Sequence, residues 1–294
     1  VNPIEYHGPH LSLRTDGVIS EGLNRDLHLR LSARHPDWPY LCVPDPNVGC
    51  GTVPGHGSRP VSFQAVKQVV IETCKALVSL GATRVVLMTF HGDPLHNLAL
   101  QAGVDWLSAH GAQGFAPMPL LLAQIFEPDP SVLAPLLAPL ASASDRSAMA
   151  EDWPHDFHAG FGETSLALHY APDTVSGDHT TLPPCAPLEP RKAMAALPSL
   201  ARRLGRTNLA GELNFGALVL TWLALRPFPG YTTRPHLANP ETGRLLADLA
   251  CERYAKAAEA VFTQGAAPPR AGMRWVLGLS LGGRIDLGGS QPEA

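Results

Sequence analysis

The sequence predicts an α/β fold, a three-layer α/β/α sandwich with helices on both faces of a mostly parallel central sheet. Two observations predict it. Over residues 63–80, Val66, Val70, Cys74, Leu77 and Leu80 recur at helical spacing, and Gly81 supplies a natural stop. The run RVVLMT at 84–89 is β-branched and apolar and reads as a buried strand. A helical stretch over 94–110 and an apolar strand within 115–126 come after it. Strand, helix, strand in that order gives parallel strands joined by a crossover. Ligands of such sheets gather beyond the carboxyl ends of the strands.

Taken in order, residues 1–7 read as the end of a first strand carrying Glu5 and His7. Asp16-Gly17 opens a helix to about residue 33, with Thr15 or Asp16 as its N-cap. Residues 40–43 read as a short strand that stops at Pro44-Asp45-Pro46, and 49–57 as a glycine-rich loop containing His56. Residues 182–187 form a proline-rich linker inside an insertion spanning 176–229, in which 192–204 and 213–225 are helical. Asn239-Pro240-Glu241 starts a helix that runs to about residue 262. Of the last thirty residues, only 275–281 reads as a strand. The chain therefore divides into one domain over 1–263 and a C-terminal tail over 264–294 with little predicted order.

With 22 basic and 26 acidic residues, the formal net charge is −4. This argues against a nucleic-acid or anionic-membrane surface and favours a small-molecule partner. The most apolar run, 215–225, is shorter than the roughly 20 residues of a membrane span. No secretory signal is read ahead of the first strand. Cys42, Cys50, Cys74, Cys185 and Cys251 are odd in number and show no CxxC spacing, which implies a reducing, cytoplasmic setting.

The densest chemistry lies in VNPIEYHGPHLSLRTD at the start of the chain. Glu5 and His7, two apart on a strand, point to one side, and Asp16 returns after a short loop. His91 and Asp93 end a later strand and can face the same crevice. Oxygen and imidazole donors together suit zinc or manganese. Asp93 precedes Pro94 and has two readings, metal ligand or N-cap of the following helix. His10 is a candidate for orienting a ligand, His56 for lining a pocket, and His96 for a place on a helix facing solvent or core.

These residues carry a resemblance. EYHGPHL with Thr15-Asp16 resembles the signature of the creatininase family of metal-dependent amidohydrolases, in which a Glu-x-His pair and an Asp nine residues later bind two ions. His91-Gly92-Asp93 falls where that family has Asn-Gly-His-Gly-Gly-Asn. The segment HAGFGETS, from His158 to Ser165, resembles its His-Ala-Gly-Glu-x-Glu-Thr-Ser motif. The likeness covers about residues 1–175, with a weaker echo at 230–246.

Most relatives carry glycine where this chain has Asp93 and glutamate where it has Phe161, so a carboxylate has moved from one motif to the other. The resemblance implies that Glu5, Asp16 and His91 hold one divalent ion and that His7, Asp16 and Asp93 hold a second. The ions would be zinc, manganese or iron. It implies that His158 protonates a leaving nitrogen with Glu163 orienting it, and that the protein is a homo-oligomer, a hexamer. The implied reaction is cleavage of a non-peptide C–N bond in a small amide, cyclic amide or formamide by a metal-bridging hydroxide. Trimming of a small or modified peptide, and a non-catalytic scaffold that has lost a metal, are the alternatives.

Overall fold

Residues 15–34 fold as the helix the sequence predicts. In α1 (Thr15–Arg34), Ile19, Leu23, Leu27 and Leu31 form a buried stripe at four-residue spacing. The computed structural model describes residues 1–126 and 130–285, and the chain divides into two compact units.

The first unit comprises Val1–Tyr6, Leu13–Leu121 and the chain from Ala247 onward. α2 (Phe63–Ser79) starts at a Ser62 cap and buries Phe63, Val66, Val70 and Cys74. It packs on α3 (Pro94–Ala109), where a Cβ added at Gly103 would lie 2.5 Å from Val70 Cγ1, so the absent side chain lets the helices close. Between them in sequence runs β1 (Arg84–Val86), which pairs in parallel with β2 (Gln113–Phe115) in the register Arg84↔Gln113 to Val86↔Phe115. The predicted strand–helix–strand unit is therefore present, although the only sheet among the described residues is this two-stranded one. The strand expected within 115–126 ends at Phe115. The chain continues as α4 (Met118–Phe126), because an apolar run of this length does not distinguish strand from buried helix.

Two further strand expectations are corrected in the same unit. Residues 1–7 form no ladder: Pro3 has no N–H, Asn2 N–H donates to Asp45 Oδ1, Ile4 C=O accepts from Arg59 and Glu5 N–H donates to Leu13 C=O. Residues 40–43 lie between prolines and expose Tyr40, Leu41 and Val43. In the tail, the strand expected at 275–281 is the short helix α11 (Val276–Leu279). The described tail is packed rather than loose, with Ala271, Met273, Val276 and Ser280 buried and Ala271 N–H bonded to Gln101.

The second unit comprises His7–Ser12 and Leu122–Leu246. It contains α5 (Pro130–Leu137), α6 (Ala143–Asp152), α7 (Phe161–Tyr170), α8 (Lys192–Arg203) and α9 (Thr207–Leu223). α8 and α9 are the two helices predicted for the insertion. α10 (Pro240–Gln264) begins at Asn239, whose Oδ1 accepts from Thr242 N–H, as the capping motif predicts. Its Gly243 allows close passage over α7, since a Cβ there would fall 1.9 Å from the Ser165 carbonyl oxygen. Phe161 is fully buried with Leu137, Leu140 and Met149, so the third-motif position at which the resemblance leads one to expect glutamate is core here.

Candidate metal centre

Three elements of the first unit bring Glu5, Asp16 and His91 together. Glu5 is 0% exposed, and one of its carboxylate oxygens accepts the Val53 N–H from the glycine-rich loop. That loop lies tight against the first residues, since a Cβ at Gly49 would meet Pro3 at 2.6 Å. Asp16 sits in the first turn of α1 rather than at its cap. The N-cap is Arg14, with no side-chain cap bond, so neither Thr15 nor Asp16 fills the capping role the sequence expects.

His91 follows β1 by five residues, at the carboxyl end of that strand as the parallel-sheet rule predicts. Its N–H donates to Thr89 Oγ1 at 3.2 Å, and its carbonyl accepts from Asn97 Nδ2 at 2.9 Å. The Thr89 hydroxyl and Phe90 N–H both donate to the buried Asn2 side chain, whose amide reaches Asp45. Asn2 thus fixes the strand end that presents His91, and nothing in its sequence context marks it.

The ring of His91 fits a cation site. Its Nε2 lies 3.0 Å from the Cys50 carbonyl, which only accepts, so the ring hydrogen is on Nε2 and the lone pair of the neutral form is on Nδ1. Nδ1 faces two carboxylates, Glu5 Oε2 at 3.0 Å and Asp16 Oδ2 at 3.3 Å. One ligand atom from each of the three residues lies within 4.8 Å of the others, and all three residues are buried. A lone pair between two buried carboxylates is repulsive unless a positive charge joins them. Burial opposes charging the ring, but the Glu5 and Asp16 carboxylates override it and hold the His91 pKa well above 6.5. A divalent ion on Nδ1 would satisfy the same three groups in place of the proton.

Asp93 caps α3. Its Oδ1 accepts the His96 N–H at 2.8 Å, Pro94 takes the first helical position, and a Cβ at Gly51 would collide with its carboxylate. A carboxylate has a second oxygen, so capping through Oδ1 is compatible with binding a cation through Oδ2. His96 is fully buried and edge-on to His91, with ring centroids 5.0 Å apart, which decides for core over solvent. His56 is exposed.

The second unit holds the other predicted residues. His7 is 1% exposed and its ring stacks on His158 at 4.4 Å between centroids, with 23° between planes. Glu163, in the first turn of α7, has Oε1 3.4 Å from His7 Nε2, while its Oε2 accepts the Ala159 N–H at 2.5 Å. Glu163 therefore lies against His7, whereas the sequence reading paired it with His158. Thr232 fixes the His158 backbone, its N–H reaching the His158 carbonyl at 2.9 Å. Ala159 then takes φ +46°, a conformation disfavoured for a side chain, and this turns the chain into α7. His10 bonds Thr164 Oγ1 through Nε2 at 2.9 Å. Burial, with the neighbouring His179, His7 and His158, pushes its pKa down to about 3, so it is neutral near pH 7.

Asp156 also builds this turn. Its Oδ1 accepts from Thr233 Oγ1 at 2.6 Å and its Oδ2 from Gly162 N–H at 2.8 Å, and Gly160 has no room for a side chain because Asp156 lies against it. Burial raises the Asp156 pKa from 3.8 to about 6 against the pull of those hydrogen bonds. A raised carboxyl pKa means that folding takes up a proton between those values. Its contribution to stability is full below about pH 4 and lost as pH rises through about 6. Asp156→Asn should flatten that part of the Tm–pH profile and hold Tm higher above pH 6, measured by thermal unfolding from pH 3.5 to 7.5. An unchanged slope would contradict the assignment.

A family model for creatininase (creatinine amidohydrolase) matches residues 1–258, well beyond residue 175, where the motif likeness fades. The mycofactocin precursor peptide peptidase of Mycobacterium ulcerans (strain Agy99) is 26% identical over 206 residues, or 67% of this chain. The alignment spans 65% of that curated relative's length. A crystal structure of creatinine amidohydrolase (creatininase) aligns with a TM-score of 0.59 at 19% identity over 89% of this chain and 88% of that one. A mutant creatininase described as the Zn-Zn type gives 0.56 at 18% identity over 89% and 88%. These structures establish a creatininase-like α/β fold, and the family match over most of the sequence establishes that the chain belongs to the creatininase family.

Proposed function

We propose that this chain is a metal-dependent amidohydrolase that cleaves the C–N bond of a small amide, cyclic amide or formamide. The observation that carries the reading is the buried convergence of Glu5, Asp16 and His91 on one point. These three residues would hold one divalent ion, and His7, Asp16 and Asp93 would hold the second, as the family signature implies. Zinc or manganese fits the mixed oxygen and imidazole donors, with iron a third option. When bound, the ions supply Lewis acidity and bring the pKa of a bound water toward neutrality.

The remaining work falls to the chain's own side chains. His158 delivers a proton to the departing nitrogen. His7 packs its ring on His158, and Glu163 fixes His7 in turn through the 3.4 Å contact. His10 stays neutral beside Thr164 and adds no charge to compete with the ions. The five cysteines are free and no helix of the described residues is long and apolar enough to cross a membrane, which fits a cytoplasmic enzyme. A homo-oligomer acting on a small-molecule substrate completes the reading.

A second reading, trimming of a small or modified peptide, is favoured by the likeness to the precursor peptide peptidase. A hydrolysis screen with metal-reconstituted protein separates the two. Creatinine, formamides, lactams and short peptides serve as substrates, and ammonia or amine release is the signal. Turnover of a small amide supports the first reading. Turnover confined to peptides replaces it with the second, and none on either class contradicts both.

A further inference from the structure

We propose that Trp222, on the second helix of the 176–229 insertion, is a positioning residue for His158. The inference rests on the reading of His158 as the proton donor. The indole of Trp222 lies 5.0 Å from the His158 ring centroid at a tilt of 51°, while His7 stacks on the same imidazole at 4.4 Å. Two rings thus bound the one side chain that must aim a proton. Rings so packed have few rotamers open to them, and a proton donor has to hold its orientation to within about 10–20°.

Trp222 is itself rigidly held. It is 1% exposed, its Nε1–H donates to the Tyr231 carbonyl at 2.9 Å, and it packs on Phe157 at 5.5 Å and Phe228 at 4.8 Å. The neighbour of Tyr231, Thr232, is the residue that bonds the His158 backbone. The indole and the histidine main chain are therefore anchored to consecutive residues of one segment, and Phe157, which the indole also touches, immediately precedes His158. An insertion outside the three signature motifs in this way supplies one wall of the donor's seat. Any buried indole N–H needs an acceptor, so the Nε1 bond fixes the ring's place, and it is the contact with the His158 ring that gives Trp222 a role beyond core packing.

The test compares W222F, W222Y and W222L, using zinc-loaded protein and the best substrate from the hydrolysis screen. W222F keeps an aromatic wall and should stay within about threefold of the parent kcat. W222L keeps apolar volume without a flat wall and should lower kcat about tenfold or more, with KM and metal content unchanged. Protein labelled at histidine 13Cε1 supplies a readout independent of turnover. The His158 ring signals, assigned by their loss in H158N, should carry an aromatic ring-current shift that W222Y reduces and W222L cuts back to the part supplied by the stacked His7 ring.

A W222L protein with unchanged kcat and unchanged His158 signals overturns the proposal, as does a kcat loss that merely follows loss of metal. Should W222L not fold, W222M decides, since methionine keeps apolar volume without a flat wall. A diminished ring-current shift with a lowered kcat supports positioning, and a diminished shift with parental kcat refutes it. If H158N retains full turnover, the proton-donor reading fails, while the ring-current shift still reports whether Trp222 seats His158.

Discussion

Asp16→Asn should yield a folded protein that no longer retains its metal and has lost turnover. Asparagine matches aspartate in size, and Asp16 does not cap α1, so the helix keeps its start and loses only a first-turn charge worth about 0.3–1 kcal/mol. The site loses far more. Asp16 Oδ2 is 3.3 Å from His91 Nδ1, and the carboxylate is one of two buried there. An amide supplies no negative charge to hold a dication. The affinity loss should exceed the roughly 10–100-fold that removing an outer partner of a ligand costs. Elemental analysis after dialysis and circular dichroism check the two halves of the expectation. A folded, fully metallated and fully active D16N protein would remove Asp16 from the site.

The second large effect separates chemistry from metal binding. His158→Asn should retain metal and lower kcat by about a hundred- to ten-thousandfold, the usual worth of general acid–base catalysis. Asparagine keeps a small polar side chain, and the Thr232 bonds to this position are to backbone atoms, so the turn into α7 should survive. Substrates with better leaving groups should recover part of the loss, because they need less help from a proton donor. A loss equal for good and poor leaving groups, or a parallel loss of metal, would instead assign His158 to binding.

Much of this site was legible in the sequence because its chemistry is dense and local. Glu5, His7 and Asp16 lie within twelve residues, and His91 follows closely on the β-branched run at 84–89 that reads as a strand and begins as β1. Periodicity also located α2, α3, α8, α9 and α10, since each carries an apolar stripe or a capping signal. Other features depend on contacts across long sequence separations. Asn2 becomes important only because Thr89 and Phe90 reach it, and Trp222 only because the fold brings it to His158. The expected first strand failed because its backbone groups have partners scattered over Asp45, Arg59 and Leu13. Asp93 shows the limit of motif reading. The sequence offered cap or ligand, and the cap is formed through one oxygen while the other keeps the second role chemically open.

The proposed chemistry stands on a divalent-metal centre built on Glu5, Asp16 and His91, and the metal content of the wild-type protein tests it most directly. Protein purified without chelator, or reconstituted with zinc or manganese and dialysed, should contain two divalent ions per chain. Their removal should abolish hydrolysis and their return restore it. A protein that holds no stoichiometric metal under any of these conditions would contradict the account and mark the chain as a scaffold that keeps the fold alone.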